Sequence, residues 1–323
     1  MAKKRSNKQK TELKQLSGWQ VLRTSWRIVS FGLSALMFLI FILFAFAIFG
    51  AFIPVEELHD GNIAIIPLNG AIYTEQESSL FEGIESQDII DLIEKANENE
   101  KIKAIIFEIN SPGGSPVATD EIAQAIKKTN KTTVAVIREV GASGAYWVAT
   151  ATDTIFANRM SLTGSIGVRA SRLEFAGLLD DYNVTYRRLV AGHLKDAGSP
   201  YKEMTAEEQQ LFQRLLDNLH TEFIHAVAEN RNLPEEQVRQ LATGFVYIGS
   251  EAKELGLIDA IGGKEEALHY IEEQLNIDAK PIEYTKPKTF FEQLGTMQTS
   301  AFTDIGKGMG SVFLERETQI SFS

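Results

Sequence analysis

An uninterrupted apolar run, IVSFGLSALMFLIFILFAFAIFGAFI, occupies residues 28–53 and contains no charged side chain. About 20 apolar residues are enough for a helix to cross a bilayer, whereas buried core helices rarely carry so long an unbroken run. The apolar region of a cleavable signal peptide is also shorter, usually about 7–15 residues. We therefore predict one transmembrane helix over residues 28–53 that acts as an uncleaved signal anchor.

The charges on the two sides of this run set its predicted orientation. Residues 1–27 contain eight basic side chains and one acidic side chain, although the whole chain has a formal net charge of −11. Positive flanks stay in the cytoplasm, so we expect a basic cytoplasmic N-terminus that also suits the anionic headgroups of a lipid bilayer. Everything after Pro54 should then be extracytoplasmic in a single-pass protein of the cell membrane. This part is strongly acidic, which argues against nucleic acid as a partner.

Cysteine is absent from the chain, which excludes disulfides, thiolate metal ligands and a cysteine nucleophile. The five histidines show no spacing that is typical of a metal site. We therefore expect this protein to work with neither a metal nor a cofactor.

After the apolar run, strand-like segments alternate with helical segments of roughly ten residues. This alternation predicts an α/β fold with a mainly parallel sheet that helices cover on both faces. We expect strands at 63–72, 103–110, 132–137, 154–158, 184–190 and 281–285. We expect helices at 87–96, near 173–181, and at 205–231, 234–242 and 263–275, with Ser86 as an N-cap, a capping box of Thr205 and Glu208, and Pro234 in a first turn.

Two glycine-rich loops, 111–115 and 141–144, follow strands directly. The carboxyl ends of parallel strands meet at one edge of a sheet, so both loops should lie at that edge. At Gly113 and Gly114 such a turn leaves backbone N–H groups free to bind an anion, or it is an ordinary tight turn. Ser143 sits at a strand-to-helix turn, where it is either an exposed nucleophile or a helix N-cap. The residues alone leave both pairs of alternatives open.

A serine hydroxyl needs a neighbouring base before it becomes a good nucleophile. His193 and Lys195 lie in the loop AGHLKDAGSP, which follows the predicted strand at 184–190. A lysine acts as a base when burial or nearby cations lower its pKa, and serine–lysine pairs are a known variant of the serine triad. Lys195 is otherwise an ordinary solvated lysine, and the adjacent Asp196 could pair with it and keep it charged. Local sequence does not decide between these readings.

Four blocks occur in order: INSPGG, GASGAYW, TGSIGV, and a lysine 52 residues after the serine of the second block. Together they resemble signal peptide peptidases of the SppA type, in the short, single-repeat bacterial form with one N-terminal anchor, over roughly residues 62–275. The resemblance implies a ClpP/crotonase-like fold and a membrane-bound serine protease that cuts remnant signal peptides and other peptides near the membrane. It also implies homo-oligomeric rings or domes, octameric in short forms, in which serine and lysine can come from adjacent subunits.

The resemblance also implies a role for individual residues. By position, Ser143 is the nucleophile, Lys195 is the general base, and Ser165 is the hydroxyl that orients the lysine. The oxyanion hole corresponds to the N–H groups of Gly114 and Gly144, which agrees with the argument from the loops.

His193 is a bystander in this assignment. The expected organisation is a basic cytoplasmic N-terminus (1–27), a transmembrane signal anchor (28–53), a serine peptidase domain (54–285) and a C-terminal tail (286–323).

Two other functions stay open: an acyl-CoA enzyme of the crotonase type, which shares the fold, and a non-catalytic membrane scaffold. The predicted extracytoplasmic location argues against the first, and the intact motif residues argue against the second.

Overall fold

The computed structural model describes residues 18–51, 61–75 and 83–286, which fall into two units. The first unit contains α1 (Gly18–Ala51). Its stretch Ser25–Ala45 has a mean hydropathy of 2.6, and the side chains described in it are exposed, so by length and composition it is able to cross a membrane. The end of the predicted anchor, most of the basic N-terminus and the C-terminal tail beyond residue 286 lie outside the described residues.

The second unit contains the other described elements. Its helices are α2 (Ser86–Glu98), α3 (Pro116–Lys128), α4 (Gly144–Thr150), α5 (Ala176–Asp181), α6 (Ala206–Arg231), α7 (Glu235–Leu241), α8 (Gly249–Glu254) and α9 (Lys264–Leu275). Its strands are β1 (Ile63–Asn69), β2 (Ala71–Tyr73), β3 (Gly83–Glu85), β4 (Ala104–Ser111), β5 (Thr132–Ala142), β6 (Thr154–Ala157), β7 (Leu162–Gly164), β8 (Val246–Ile248), β9 (Ala260–Ile261) and β10 (Pro281–Glu283).

One central sheet runs in the order β10-β1-β4-β5-β6-β9, and each neighbouring pair on this path is parallel. The short β7 pairs in parallel with the end of β5 and antiparallel with β8. Strands β2 and β3 form a small parallel sheet of their own. The predicted α/β fold, with a mainly parallel sheet flanked by helices, is therefore confirmed.

Side chains of the central strands alternate between two apolar layers, as the period of two in a strand requires. In β4, Ile105, Phe107 and Ile109 point into the larger layer, to which α2, α3, α4 and α6 contribute. Ala104 and Ile106 point the other way, into a smaller layer that α9 covers. Because both faces of the strand are buried, its sequence is an almost continuous apolar run.

The segment 184–190 differs from the predicted arrangement. It lies outside every strand and its residues are exposed, with Leu189 at 96 %. Within the described residues no sheet edge pairs with it. The prediction of a strand here is wrong because an apolar pattern shows which residues can be buried and not which partner covers them.

The starts of two helices also differ from the predicted ones. Glu85 is the N-cap of α2, and the Ser86 hydroxyl donates instead to a carboxylate on α3 over 2.6 Å. Pro234 is the N-cap of α7 and not a residue of its first turn. The capping box of α6 is confirmed, because Thr205 Oγ1 accepts from the N–H of Glu208 and the Glu208 carboxylate accepts from the N–H of Thr205.

Candidate active site

Three strand ends meet at one edge of the central sheet. Strand β5 lies between β4 and β7, and both neighbours run parallel to it. Ser111 at the end of β4 lies opposite Gly141, and Gly164 at the end of β7 lies opposite Ala142. The loops that follow these strands therefore converge, as expected for the two glycine-rich loops.

Ser143 forms the sharp turn between β5 and α4, with φ 54° and ψ −128°. A non-glycine residue in such a region costs about 1–3 kcal/mol, and residues of this kind concentrate at active sites. The Ser143 N–H fixes the turn by donating to the C=O of Gly164 over 2.8 Å. Its side chain makes no capping hydrogen bond, and the residue is only half-buried. Capping is thus not the role of this hydroxyl, which has the geometry of a nucleophile elbow.

Gly114 and Gly144 bring two backbone N–H groups close together. A Cβ on Gly144 would lie 3.3 Å from the nitrogen of Gly114. Gly114 lies opposite Ile72 in an isolated parallel bridge, and the residues on either side of Gly114 make its hydrogen bonds. The C=O of Gly113 accepts from the N–H of Ile72, and the N–H of Ser115 donates to the C=O of Ile72. In such a parallel bridge the N–H of Gly114 itself points away from Ile72. The N–H of Gly144 opens α4 and has no acceptor inside the helix.

A cleft of about 1070 Å³ opens over these loops, and Gly114, Ser143, Gly144 and Ser165 all line it. Ser165 follows β7 with φ 50°, and its hydroxyl donates to the C=O of Gly244 over 2.9 Å. This bond uses the hydroxyl proton and leaves lone pairs of the oxygen open to a donor. The structure thus brings four of the five predicted site residues together.

Lys195 is the predicted site residue that does not line this cleft. It is exposed, in a loop where its N–H donates to the C=O of Gly192 over 3.0 Å. Asp196 is not its partner, because Arg188 binds both carboxylate oxygens of Asp196 over 2.5 and 2.7 Å. Pairing between Lys195 and its neighbour, which the sequence left open, is therefore excluded in this structure.

Thr119 and His220 are among the polar side chains of the cleft that the sequence alone did not indicate. Thr119 Oγ1 and His220 Nε2 are buried and have no hydrogen bond partner among the described residues. His220 precedes Phe223 by one turn of α6, and Phe223 stacks on Trp147 with 5.0 Å between ring centroids. The i, i+3 spacing of His220 and Phe223 is a signal that places both on one helix face. His193, in contrast, is exposed and does not line the cleft.

Charged residues are spread around the cleft, with Asp120, Glu121 and Glu222 opposed only by Arg169. In the part of the chain that the structure describes, no group of three or more His, Cys, Asp or Glu side chains is placed to hold a metal ion. The cleft therefore offers a ligand hydroxyls, backbone N–H groups, separate carboxylates, the Arg169 guanidinium and the imidazole of His220.

Known proteins with similar sequences indicate the family of this chain. A family model described as peptidase family S49 matches residues 125–278. A candidate signal peptide peptidase SppA of Enterococcus faecium is 35% identical over 73% of this chain and 72% of that protein. A candidate protease of Methanocaldococcus jannaschii is 32% identical over 71% of this chain and 74% of its own length. The chloroplastic serine protease SPPA of Arabidopsis thaliana is 30% identical over 77% of this chain and 37% of its own. With a parallel sheet that presents a serine at a sharp turn in a cleft, these matches show that the chain belongs to peptidase family S49 and is a serine protease.

Proposed function

We propose that the protein is a membrane-anchored serine endopeptidase in which Ser143 is the nucleophile and Lys195 is the general base. The observation that carries the proposal is the position of Ser143, whose backbone is strained and whose hydroxyl makes no capping hydrogen bond. It lines the same cleft as Gly114 and Gly144, whose N–H groups are available to bind an oxyanion. The alternatives of an acyl-CoA enzyme and a non-catalytic scaffold find no support, because the chain belongs to a protease family.

The proposed chemistry follows from the positions of these groups. Neutral Lys195 accepts the proton of Ser143, whose oxygen attacks the carbonyl carbon of an extended peptide. The N–H groups of Gly114 and Gly144 bind the oxyanion. The lysine ammonium then protonates the leaving amine, and water hydrolyses the acyl-enzyme with Lys195 again as base. Ser165 already donates its own proton to a backbone C=O, so its oxygen can accept from the lysine amine and orient it.

We propose further that the protein is a homo-oligomer, an octameric ring or dome, in which the lysine reaches the cleft of an adjacent subunit. The absence of Lys195 from the lining of its own cleft supports this arrangement. The segment before Lys195 gives a second argument, because Leu173, Tyr182 and Leu189 are 73%, 75% and 96% exposed. Large exposed apolar side chains in one segment are typical of a surface that a partner covers.

The proposed substrates are remnant signal peptides and other peptides at the outer face of the cytoplasmic membrane. Helix α1 is long and apolar enough for an anchor, and the positive charges of residues 1–27 favour a cytoplasmic N-terminus. Apolar side chains in the cleft lining, including Val117, Trp147 and Phe223, suit the apolar core of a signal peptide. The name of the Enterococcus faecium relative points to the same substrate class.

Peptide cleavage by the purified full-length protein tests the catalytic assignment. Ser143→Ala and Lys195→Ala should each lower kcat/KM by roughly 10³-fold or more, because nucleophile and base act as a unit. Ser115→Ala is the matched control, since Ser115 is also a helix N-cap without a side-chain capping bond. Full turnover by either Ser143→Ala or Lys195→Ala would refute the dyad.

Mixing the two inactive variants tests whether subunits share a site. In a random, equal mixture, about a quarter of the sites join an intact serine from one chain to an intact lysine from its neighbour. Recovery of activity is the expected result. A mixed oligomer that stays inactive would place both residues in one chain and refute the sharing, although the dyad itself would stand.

A further inference from the structure

One arginine holds the loop that carries Lys195. Arg188 donates from Nε and Nη2 to the two carboxylate oxygens of Asp196, over 2.5 and 2.7 Å. The same Nη2 also donates to the C=O of His193. The Asp196 side chain is 11% exposed and that of Arg188 is 41% exposed, so water reaches the guanidinium but only a small part of the carboxylate. Two parallel hydrogen bonds of this kind are the strong, geometrically specific form of an arginine–carboxylate pair. Arg188 thus fixes the chain on both sides of Lys195.

The pair matters because Asp196 follows Lys195 directly in the chain. An unpaired carboxylate beside a lysine favours the ammonium form, whereas a general base has to be neutral. The hydrogen bonds from Arg188 hold the pKa of Asp196 below its ordinary value, although desolvation opposes them. Lys202 and Tyr186 also act on this pair electrostatically. Asp196 is therefore an anion whose charge Arg188 already neutralises.

Two carboxylates that α6 presents to this loop also lie beside basic side chains. Lys202 Nζ donates to both oxygens of Glu208, over 2.5 and 2.7 Å. His193 Nε2 lies 3.4 Å from a carboxylate oxygen of Glu207. Among the described residues, no carboxylate forms an ion pair with Lys195.

We propose that Arg188 is a positioning residue for the general base: it occupies the Asp196 carboxylate and holds the loop, so that Lys195 reaches Ser143 without an anionic partner. The proposal rests on the proposed roles of Lys195 and Ser143. Arg188 does not line the cleft of its own chain, and in this proposal it acts only through Asp196 and the loop. Its removal leaves a free carboxylate next to the base.

The pH dependence of kcat/KM, measured on the full-length protein, tests this role. The lysine works in its neutral form, so activity is lost on the acidic limb of the profile, where the ammonium form prevails. In Arg188→Gln the freed carboxylate favours the ammonium form of Lys195, which moves this limb to higher pH by about one unit and lowers kcat/KM about tenfold on the limb. The double variant Arg188→Gln/Asp196→Asn lacks the carboxylate, and its limb should return to the wild-type position. Arg188→Lys keeps the charge but loses the two-pronged geometry, so a smaller shift in the same direction is expected.

Arg172→Gln is the matched control. Arg172 donates to the C=O of Ser199 over 3.2 Å and so contacts the same loop without touching Asp196. Its loss should leave the acidic limb in place. A limb that stays at the wild-type position in Arg188→Gln, or a double variant that keeps the shifted limb, overturns the proposal and leaves Arg188 a purely structural role. If Arg188→Gln does not fold, Arg188→Lys with and without Asp196→Asn makes the same comparison.

Lys195→Ala separates this proposal from the proposed function. An inactive Lys195→Ala together with an unshifted Arg188→Gln leaves the dyad standing and removes only the role of Arg188. Full activity of Lys195→Ala removes the general base itself, and with it any reason for Arg188 to position it.

Discussion

Replacement of Gly114 by alanine tests the oxyanion hole directly. A Cβ at this position would lie 1.9 Å from the C=O oxygen of Ile72 and 2.6 Å from its backbone nitrogen. An ordinary contact between carbon and oxygen is about 3.3 Å or longer. Both close contacts are with backbone atoms, which cannot rotate away as a side chain can, so the loop has to move by roughly 1 Å or more.

That movement takes the Gly114 N–H away from the position of the oxyanion. The loss of one such donor costs about 10²–10³ in kcat, or about 2.7–4 kcal/mol of transition-state stabilisation. KM should change much less, because the donor binds the charge that develops in the transition state. The extra methyl group should also lower the free energy of unfolding by about 1–3 kcal/mol, which is typical of overpacking.

The assay measures kcat and KM for a fluorogenic peptide and the unfolding transition on the same detergent-solubilised protein. Gly263→Ala is the control, because Gly263 has φ −117° and a Cβ there meets only a carboxylate oxygen of Glu266 at 3.7 Å. The control should match the wild type in both measurements. A folded Gly114→Ala protein with kcat within about threefold of wild type would refute the reasoning, since one lost donor costs far more.

Two further predictions concern ion pairs of the folded domain. Asp259→Ala leaves the Arg231 guanidinium, 8% exposed, without its bidentate partner, and should lower the free energy of unfolding by roughly 3 kcal/mol in chemical denaturation. Glu235→Ala removes the exposed carboxylate of an i, i+4 ion pair and should lower the free energy of unfolding by less than about 0.5 kcal/mol. Equal effects of Asp259→Ala and Glu235→Ala would contradict this account. The hydrogen bonds from Lys202 and a backbone N–H hold the pKa of Glu208 below its ordinary value of 4.5. The Glu208 carboxylate therefore stabilises the folded protein fully above pH 4.5, and this stabilisation is lost as the pH falls through the lower pKa of the folded state. Glu208→Gln should therefore flatten the acid side of a plot of unfolding temperature against pH, and an unchanged slope would rule this contribution out.

Much of the sheet could be predicted because its strands are buried on both faces. Segments such as 103–110 are mostly apolar, with Glu108 among the apolar residues, and such segments are typical of the buried strands of a parallel sheet. The same argument predicts that the two glycine-rich loops lie at one edge, since the end of each parallel strand lies beside the ends of its neighbours. The pairing of Ser111 with Gly141 confirms that the two loops share this edge.

The remaining features depend on tertiary contacts that a local pattern does not contain. The apolar residues of 184–190 resemble a strand, but no edge in the described chain pairs with them. Asp196 follows Lys195 in sequence and binds Arg188 in space, which adjacency along the chain did not indicate. The two unpartnered polar atoms in the cleft, on Thr119 and His220, are visible only once α3 and α6 are packed.

Covalent labelling tests the central claim, that Ser143 is the nucleophile of this protease, most directly. The full-length protein is treated with a fluorophosphonate, which reacts with activated serines, and the modified peptide is identified by mass spectrometry. The account predicts one label on Ser143, its absence in Ser143→Ala, and strongly reduced labelling in Lys195→Ala, because the lysine activates the hydroxyl. Labelling that persists unchanged in Ser143→Ala, or that maps to another serine of the cleft such as Ser165, would contradict the account.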